Sequence, residues 1–302
     1  MRGGYRALAV AAALALAYLL SPNYYIRYEV AYIAAASLAV LGVVTLLDAG
    51  LVNFGYGMYV AVGAYTAALL YKYAGIKELA VTLPLSVALG AAVGLGAGAL
   101  TGRFRGIFYA LLNLSLAMVL YGALVKFYNL TGGSDGVSVP TYTILGMRPG
   151  LDGLFALSLA AAAAAAALRY FYVETALYWS AVGIRENEQR LPSMGVAPEG
   201  VVTRITVISA MLGSASGCLL AYLIGHVTPE LAFWSYSTLL VISGVVGFYA
   251  STTLGFLIGT AAMRVINLAA YYATYELVIG AGLLAVMAGL LAKDRLASGK
   301  TR

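Results

Sequence analysis

Charge is what this chain has least of. Of its 302 residues only 10% are Asp, Glu, Lys or Arg, whereas 62% are hydrophobic and the mean hydropathy is +0.90. A soluble domain carries roughly a quarter charged residues, so too few charges exist here to coat a water-facing surface. Cysteine and histidine are almost missing as well. Cys218 lies in an apolar run, which excludes a disulfide framework or a thiol metal site and suits a small buried residue. His226 cannot build a metal cluster alone. There is no H-E-x-x-H, no G-x-S-x-G and no Ser/His/Asp constellation with usable spacing. Gly299-Lys300-Thr301 imitates the end of a phosphate-binding loop, but Asp294 stands where its first glycine belongs. The chain is therefore expected to catalyse nothing alone and to bind no metal or cofactor of its own.

What the sequence does have is long apolar runs. Several approach the roughly 20 residues that cross a hydrocarbon core of about 30 Å. Lipid offers backbone amides no partners, so such runs are helices or closed barrels. The period-two alternation of a barrel strand is absent, which leaves an all-α, polytopic helical bundle forming a single membrane domain over residues 1–302. The net charge of +6 and pI near 9.2 sit mostly at segment ends, where membrane orientation and anionic lipid explain them better than nucleic acid. Many of the 24 tyrosines lie near segment ends, among them Tyr24, Tyr25, Tyr71, Tyr73, Tyr170, Tyr172, Tyr271 and Tyr272, as interfacial belts require.

Six apolar segments, at about 7–20, 29–47, 50–71, 79–100, 106–127 and 151–171, precede the most polar internal region, 172–203. Others follow at about 204–224, 236–263 and 266–292, and the tail is basic. The first segment, after Arg2 and Arg6, imitates a signal peptide but lacks a small-x-small cleavage site, so it reads as a retained helix. Placing those arginines in the cytoplasm puts 172–203 and Arg103–Arg105 inside and the 128–150 loop outside. A cytoplasmic tail then needs two short helices within 236–263, broken near Gly244 to Gly247, for about 8–10 crossings altogether. Lys72, Lys77, Arg27 and Arg148 fall outside under this scheme. Small residues that let helices approach closely recur as Gly90, Gly94 and Gly98, as Gly213 with Gly217, as Gly255 with Gly259, and as Ala160 to Ala167.

Three polar islands interrupt the apolar pattern. The first is Gly50 to Gly57, with Asn53, Gly55, Tyr56 and Gly57, leading into Gly63-Ala64-Tyr65-Thr66. Glycine this dense weakens a helix, so the island is either an unwound, pathway-lining segment or a close helix crossing. The second, Thr131-Gly132-Gly133-Ser134-Asp135-Gly136, is either a surface turn or an external loop that receives a substrate or partner. The third runs from Gly183 to Val196 and holds Arg185, Glu186, Asn187, Glu188, Arg190, Met194 and Gly195. It is either a solvated linker or short helices docking into a soluble partner through Ile184, Leu191 and Met194.

These islands in this order resemble the permease subunits of bacterial and archaeal ABC importers for branched-chain amino acids, and are more similar to the LivM-type half of the pair. The resemblance is carried by Gly50 to Tyr65, by Arg103 to Ala110 continuing to Thr131–Gly136, by Ala181 to Val196, and by Gly225 to Glu230. It implies a pathway formed with a second, homologous permease subunit, two ATPase subunits that use ATP, and an extracytoplasmic binding protein that delivers the substrate. It places the chain in the cell (inner) membrane, and assigns the Arg185–Gly195 residues named above to the loop that meets the ATPase. Asn53 and Tyr56 depart from the Ser and His or Gln common in the family, and Leu191-Pro192 interrupts a usually alanine-rich helix. Related permeases carry urea or short amides, so another small polar solute stays open. So does an ion-coupled secondary transporter, for which Asp48 and Glu276 are the candidate membrane acids, Glu276 either pairing with Arg264 or lying near an interface. A channel without energy coupling is the remaining alternative.

Overall fold

The computed structural model describes Tyr18 and residues 23–139, 142–144, 146–148, 150–250 and 255–272. Among them are nine helices of three or more turns. These are α1 Tyr24–Leu47, α2 Gly57–Ala74, α3 Leu79–Thr101, α4 Gly106–Lys126, α5 Gly150–Val173, α6 Ala176–Asn187, α7 Pro198–Ile224, α8 Trp234–Ala250 and α9 Gly255–Tyr272. Two-residue strands, β1 Val137–Ser138 and β2 His226–Val227, form one small antiparallel ribbon. The fold is the all-α bundle expected from hydropathy. α1, α3, α4, α5 and α7 are long and apolar enough to cross a membrane.

Local chemistry marks the helix ends. Asn23 caps α1 by accepting a hydrogen bond from the Tyr25 amide at 3.0 Å, and Thr175 caps α6 by accepting from Tyr178 at 3.3 Å. Pro198 opens α7, where its missing N–H costs nothing. Gly75 and Gly225 close α2 and α7 in the left-handed conformation.

α1 and α7 form the centre: 89% and 67% of their apolar stretches lie inside the protein, against 28% for α3 and for α4. α3 lies on α7 through the predicted glycine stripe. A Cβ on Gly94 would stand 2.6 Å from that of Ala210, and Gly90 and Gly98 meet Ser214 and Thr203 the same way. Gly63 of α2 presses on the Ser214 carbonyl and Gly217 on the Val60 carbonyl, so α2 also rests directly on α7. In lipid, where apolar burial drives little association, such backbone contact supplies the cohesion. The alanine run of α5 buries Ala162, Ala165 and Ala166 and leaves its other face exposed.

Three expectations need correction. Two helices do occupy 236–263, but α8 continues unbroken through Gly244 to Gly247 and reaches Ala250, and α9 is described from Gly255. Those glycines are contact points instead: Gly244 meets Val43, and Gly247 meets Gly255 across the α8–α9 pair. The third apolar segment is helical only from Gly57 onward. Tyrosine is not confined to belts. Tyr24, Tyr25, Tyr73 and Tyr170 are exposed near helix ends, yet Tyr56, Tyr59 and Tyr109 are fully buried. The first apolar segment apart from Tyr18, most of the last one, the side chains of Tyr271 and Tyr272, and the basic tail lie outside the described residues.

Gly94→Leu should drive a side chain into Ala210 and Val207 and cost about 2 kcal/mol of stability. Gly96→Leu, two residues along the same helix with nothing within 4 Å, should be neutral or stabilising. Thermal unfolding of the detergent-solubilised protein checks the pair, and equal effects would refute the packing assigned to α3.

Candidate functional site

Between α1 and α2 the chain is unwound, and it is unwound inside the protein. Leu51, Asn53 and Tyr56 are buried, and Phe54 alone of the large side chains here reaches the surface. Gly50 leaves α1 at φ +69°, a conformation glycine adopts freely. Asn53 then holds the turn by accepting the Gly55 amide at 2.8 Å. Its own amide donates to Asn113 of α4 at 3.3 Å, and Asn113 donates to the Tyr109 carbonyl at 2.9 Å. Tyr56 donates to the Ser209 carbonyl at 2.8 Å, while the Gly57 amide donates to Ser237 of α8 at 2.9 Å. Gly55 and Gly57 lie against the carbonyls of Asn113 and Leu231, where a Cβ would collide.

Asn53, Gly55, Tyr56 and Gly57 are thus brought together, with α4, α7 and α8 completing a buried polar cluster. Sequence reasoning missed Asn113, Tyr109, Ser209 and Ser237. The signal available was Asn113, a lone amide in the 106–127 apolar run, since polar groups at that depth are costly without a task. Further along α2, Tyr65 and Thr66 line an apolar cavity of about 430 Å³ with Leu85 and Leu89 of α3 and Leu120 and Leu124 of α4.

At the ribbon end, Thr131–Gly136 is a built turn. The Thr131 hydroxyl donates to the carbonyls of Leu124 and Phe127 at 2.5 and 2.9 Å, and Gly132 and Gly136 sit at φ +75°. His226 bridges from β2, its Nε2 2.8 Å from the Asp135 carbonyl and its Nδ1 3.2 Å from Ser138 Oγ. The turn and the Gly225–Glu230 stretch, far apart in sequence, therefore form one unit. Ser134 and Asp135 are its exposed tip.

The opposite end carries α6 and the turns Glu188–Arg190 and Pro192–Met194. Glu186, Asn187, Arg190, Met194 and Gly195 are exposed. Glu188 is not free: Arg105 grips it with both arms, Nε at 3.0 Å and Nη2 at 2.8 Å. Arg103 pairs with Glu199 at 3.3 Å, so the two basic stretches expected on one side do share an end. The proposed anchors need correction. Ile184 and Leu191 are buried in the protein's own core, Leu191 against Gly183, and only Met194 points out, at 74% exposure. Trp179, also exposed, is the apolar side chain that sequence reasoning overlooked.

Among the described residues, two ion pairs join α1 to other long helices. Asp48, capping α1, meets Arg169 of α5, with Nη2 2.9 Å from Oδ1 and Nη1 on Oδ2. Glu29 of α1 meets Arg264 of α9 at 2.6 and 3.0 Å. Glu29 was thus a third membrane acid, unforeseen because its partner lies 235 residues away. Glu276, for which Arg264 was one of two readings, lies outside the described residues. Among the described residues no group of three or more His, Cys, Asp or Glu is placed to hold a metal ion.

A family model described as branched-chain amino acid transport system / permease component matches residues 25–287. The high-affinity branched-chain amino acid transport system permease protein LivM of Escherichia coli (strain K12) is 27% identical to the chain over 225 residues, covering 66% of this chain and 52% of that protein. The LivM protein of Salmonella typhimurium (strain LT2) matches over the same extent and at the same identity. The chain spans about half the length of these curated relatives. No solved structure matches it.

Asn113→Leu should strand the buried Asn53 amide and cost about 2 kcal/mol. Asn53→Ala should cost a similar amount through the orphaned Gly55 amide, and the double variant less than the sum. Denaturation of the purified protein measures all three, and strict additivity would mean the two amides do not interact.

Proposed function

Because the chain belongs to the family of branched-chain amino acid transport permeases, and is a multi-pass membrane protein, we propose that it is one membrane subunit of an ATP-driven importer. Its substrates are branched-chain or related small amino acids. It works in the cell membrane as a single permease domain beside a second, homologous permease chain. Two ATPase subunits bind and hydrolyse ATP on the α6 side, so this chain needs no nucleotide site. A binding protein delivers substrate at the ribbon end.

One observation carries this reading. The stretch from α6 to the Pro192–Met194 turn exposes two large apolar side chains, Trp179 and Met194, along with the polar Glu186, Asn187 and Arg190. Yet the same loop is fastened to the bundle by Arg105–Glu188 and by the buried Ile184 and Leu191. A solvated linker needs neither feature, whereas a surface that receives force from a soluble partner needs both. The sides are supported by this asymmetry rather than by charge. Arg103, Arg105, Arg185, Arg190 and Arg204 at the α6 end are matched by Arg27, Lys72, Lys77, Lys126 and Arg148 toward the other. The unwound segment is the stretch of this chain that lines the path. It supports that role because its Gly55 and Gly57 amides are held by the side chains of Asn53 and Ser237, and Asn53 in turn by Asn113, rather than by helical bonds, leaving it free to rearrange. An ion-coupled mechanism finds little support in Asp48 and Glu29, since each carboxylate is engaged by an arginine.

The test is reconstitution with a second permease, ATPases and binding protein. Labelled leucine should accumulate only with ATP, and cysteines at Glu186 or Arg190 should cross-link to the ATPase. Arg185→Ala with Glu186→Ala should assemble but hydrolyse ATP without uptake. Uptake by the permeases alone, or no cross-link at either site, would overturn the importer.

A further inference from the structure

The chain between α1 and α2 is held from two directions where it begins. At Asp48, 2% exposed, the carboxylate takes both arms of Arg169, itself 4% exposed. That guanidinium also lies 5.4 Å from the ring centre of Tyr172 and 5.6 Å from that of Tyr178. Tyr172 ends α5 and Tyr178 opens α6, so Arg169 sits inside the corner where one helix turns into the other. Two residues beyond Asp48, Gly50, itself exposed, lies beside Arg185 in the last turn of α6. A Cβ there would stand 3.1 Å from Arg185 Cγ and 3.5 Å from its Cβ, and the Arg185 guanidinium lies 5.5 Å over Phe248 of α8. Three residues further on is Asn53.

We propose that Asp48 and Arg169 are positioning residues that carry the movement of α6 into the unwound segment. The proposal rests on the importer reading. Removing two charges from water is expensive, and apolar side chains of similar volume commonly join helices as well or better. What a two-armed pair supplies and an apolar contact does not is a fixed orientation, because both N–H···O bonds must stay aligned. The pair therefore passes on a rotation of the α5–α6 corner as well as a push. Gly50 under Arg185 supplies the second point of grip. Leu51, Asn53 and Tyr56 are all buried, so a movement at Gly50 is met by packed side chains and reaches their hydrogen-bond partners.

The test uses the assembled transporter in proteoliposomes, with Cys218→Ala and a single probe cysteine at Phe54, the exposed residue of the segment. In the parent, thiol labelling at 54 should change when nucleotide is trapped on the ATPases. Asp48→Asn and Arg169→Lys should keep hydrolysis and the cross-link at residue 186. They should lose the nucleotide response at 54 and lower uptake per ATP by roughly tenfold. The exchanged pair, Asp48→Arg with Arg169→Asp, should recover part of both. Unchanged uptake per ATP and an unchanged response at 54 in the single variants would overturn the proposal. Should the single variants fail to assemble, the exchange decides: assembly with the response supports the joint, and assembly without it overturns it. Failure of every variant to assemble assigns the pair to folding alone and also overturns it. A parent that neither couples hydrolysis to uptake nor cross-links at 186 overturns the importer reading instead.

Discussion

The backbone amide that lipid cannot satisfy is the constraint behind this structure. Nearly every membrane-depth residue answers it by being helical. Between Asp48 and Gly57 the chain does not, and that exception organises its surroundings. Asn53 takes the Gly55 amide, Ser237 takes that of Gly57, and Asn113 is there to complete Asn53. α4, α7 and α8 are drawn to one place by the needs of nine residues that are not helix. A segment held by the side chains of Asn113 and Ser237, by the Ser209 carbonyl and by its own Asn53 can change its partners one at a time, which a helix cannot do.

Rigidity elsewhere makes that freedom useful. Backbone contact between α2, α3 and α7, through Gly63, Gly94 and Gly217, leaves little space for side-chain adjustment, and tightly packed interiors transmit displacement rather than absorb it. The two ends of the bundle are finished differently. At one, β1, β2 and His226 tie the Thr131–Gly136 turn to the end of α7. At the other, Arg105 ties the α6 loop to the start of α4, and Arg103, just before α4, pairs with Glu199 at the start of α7. Membership of a transport permease family accords with a chain built mainly of closely packed apolar helices.

Much of this was legible before any coordinates. The shortage of charge, the length of the apolar runs and the glycine stripes led to an all-α bundle, and the three polar islands pointed to the regions where the structure departs from plain helix. The unwound reading of Gly50 to Gly57 and the close-crossing reading both describe part of what is there: the backbone is unwound, and its glycines are pressed against neighbours. Ile184 and Leu191 misled because an apolar residue in a polar loop has the same sequence signature whether it faces a partner or its own core. Gly244 to Gly247 misled for a related reason, since glycine marks a helix break and a close helix contact alike.

The sequence by itself determined the class of protein, the place of its long apolar helices, and where the pattern is interrupted, because hydrophobic length and glycine density are local properties of a chain. Only the tertiary structure decided the pairings: Asn53 with Asn113, Asp48 with Arg169, Glu29 with Arg264, His226 with Asp135. Which partner a buried polar group finds depends on the depth and rotation of helices that lie tens to hundreds of residues apart. Those are set by the packing of every other helix, and no stretch of sequence carries them alone.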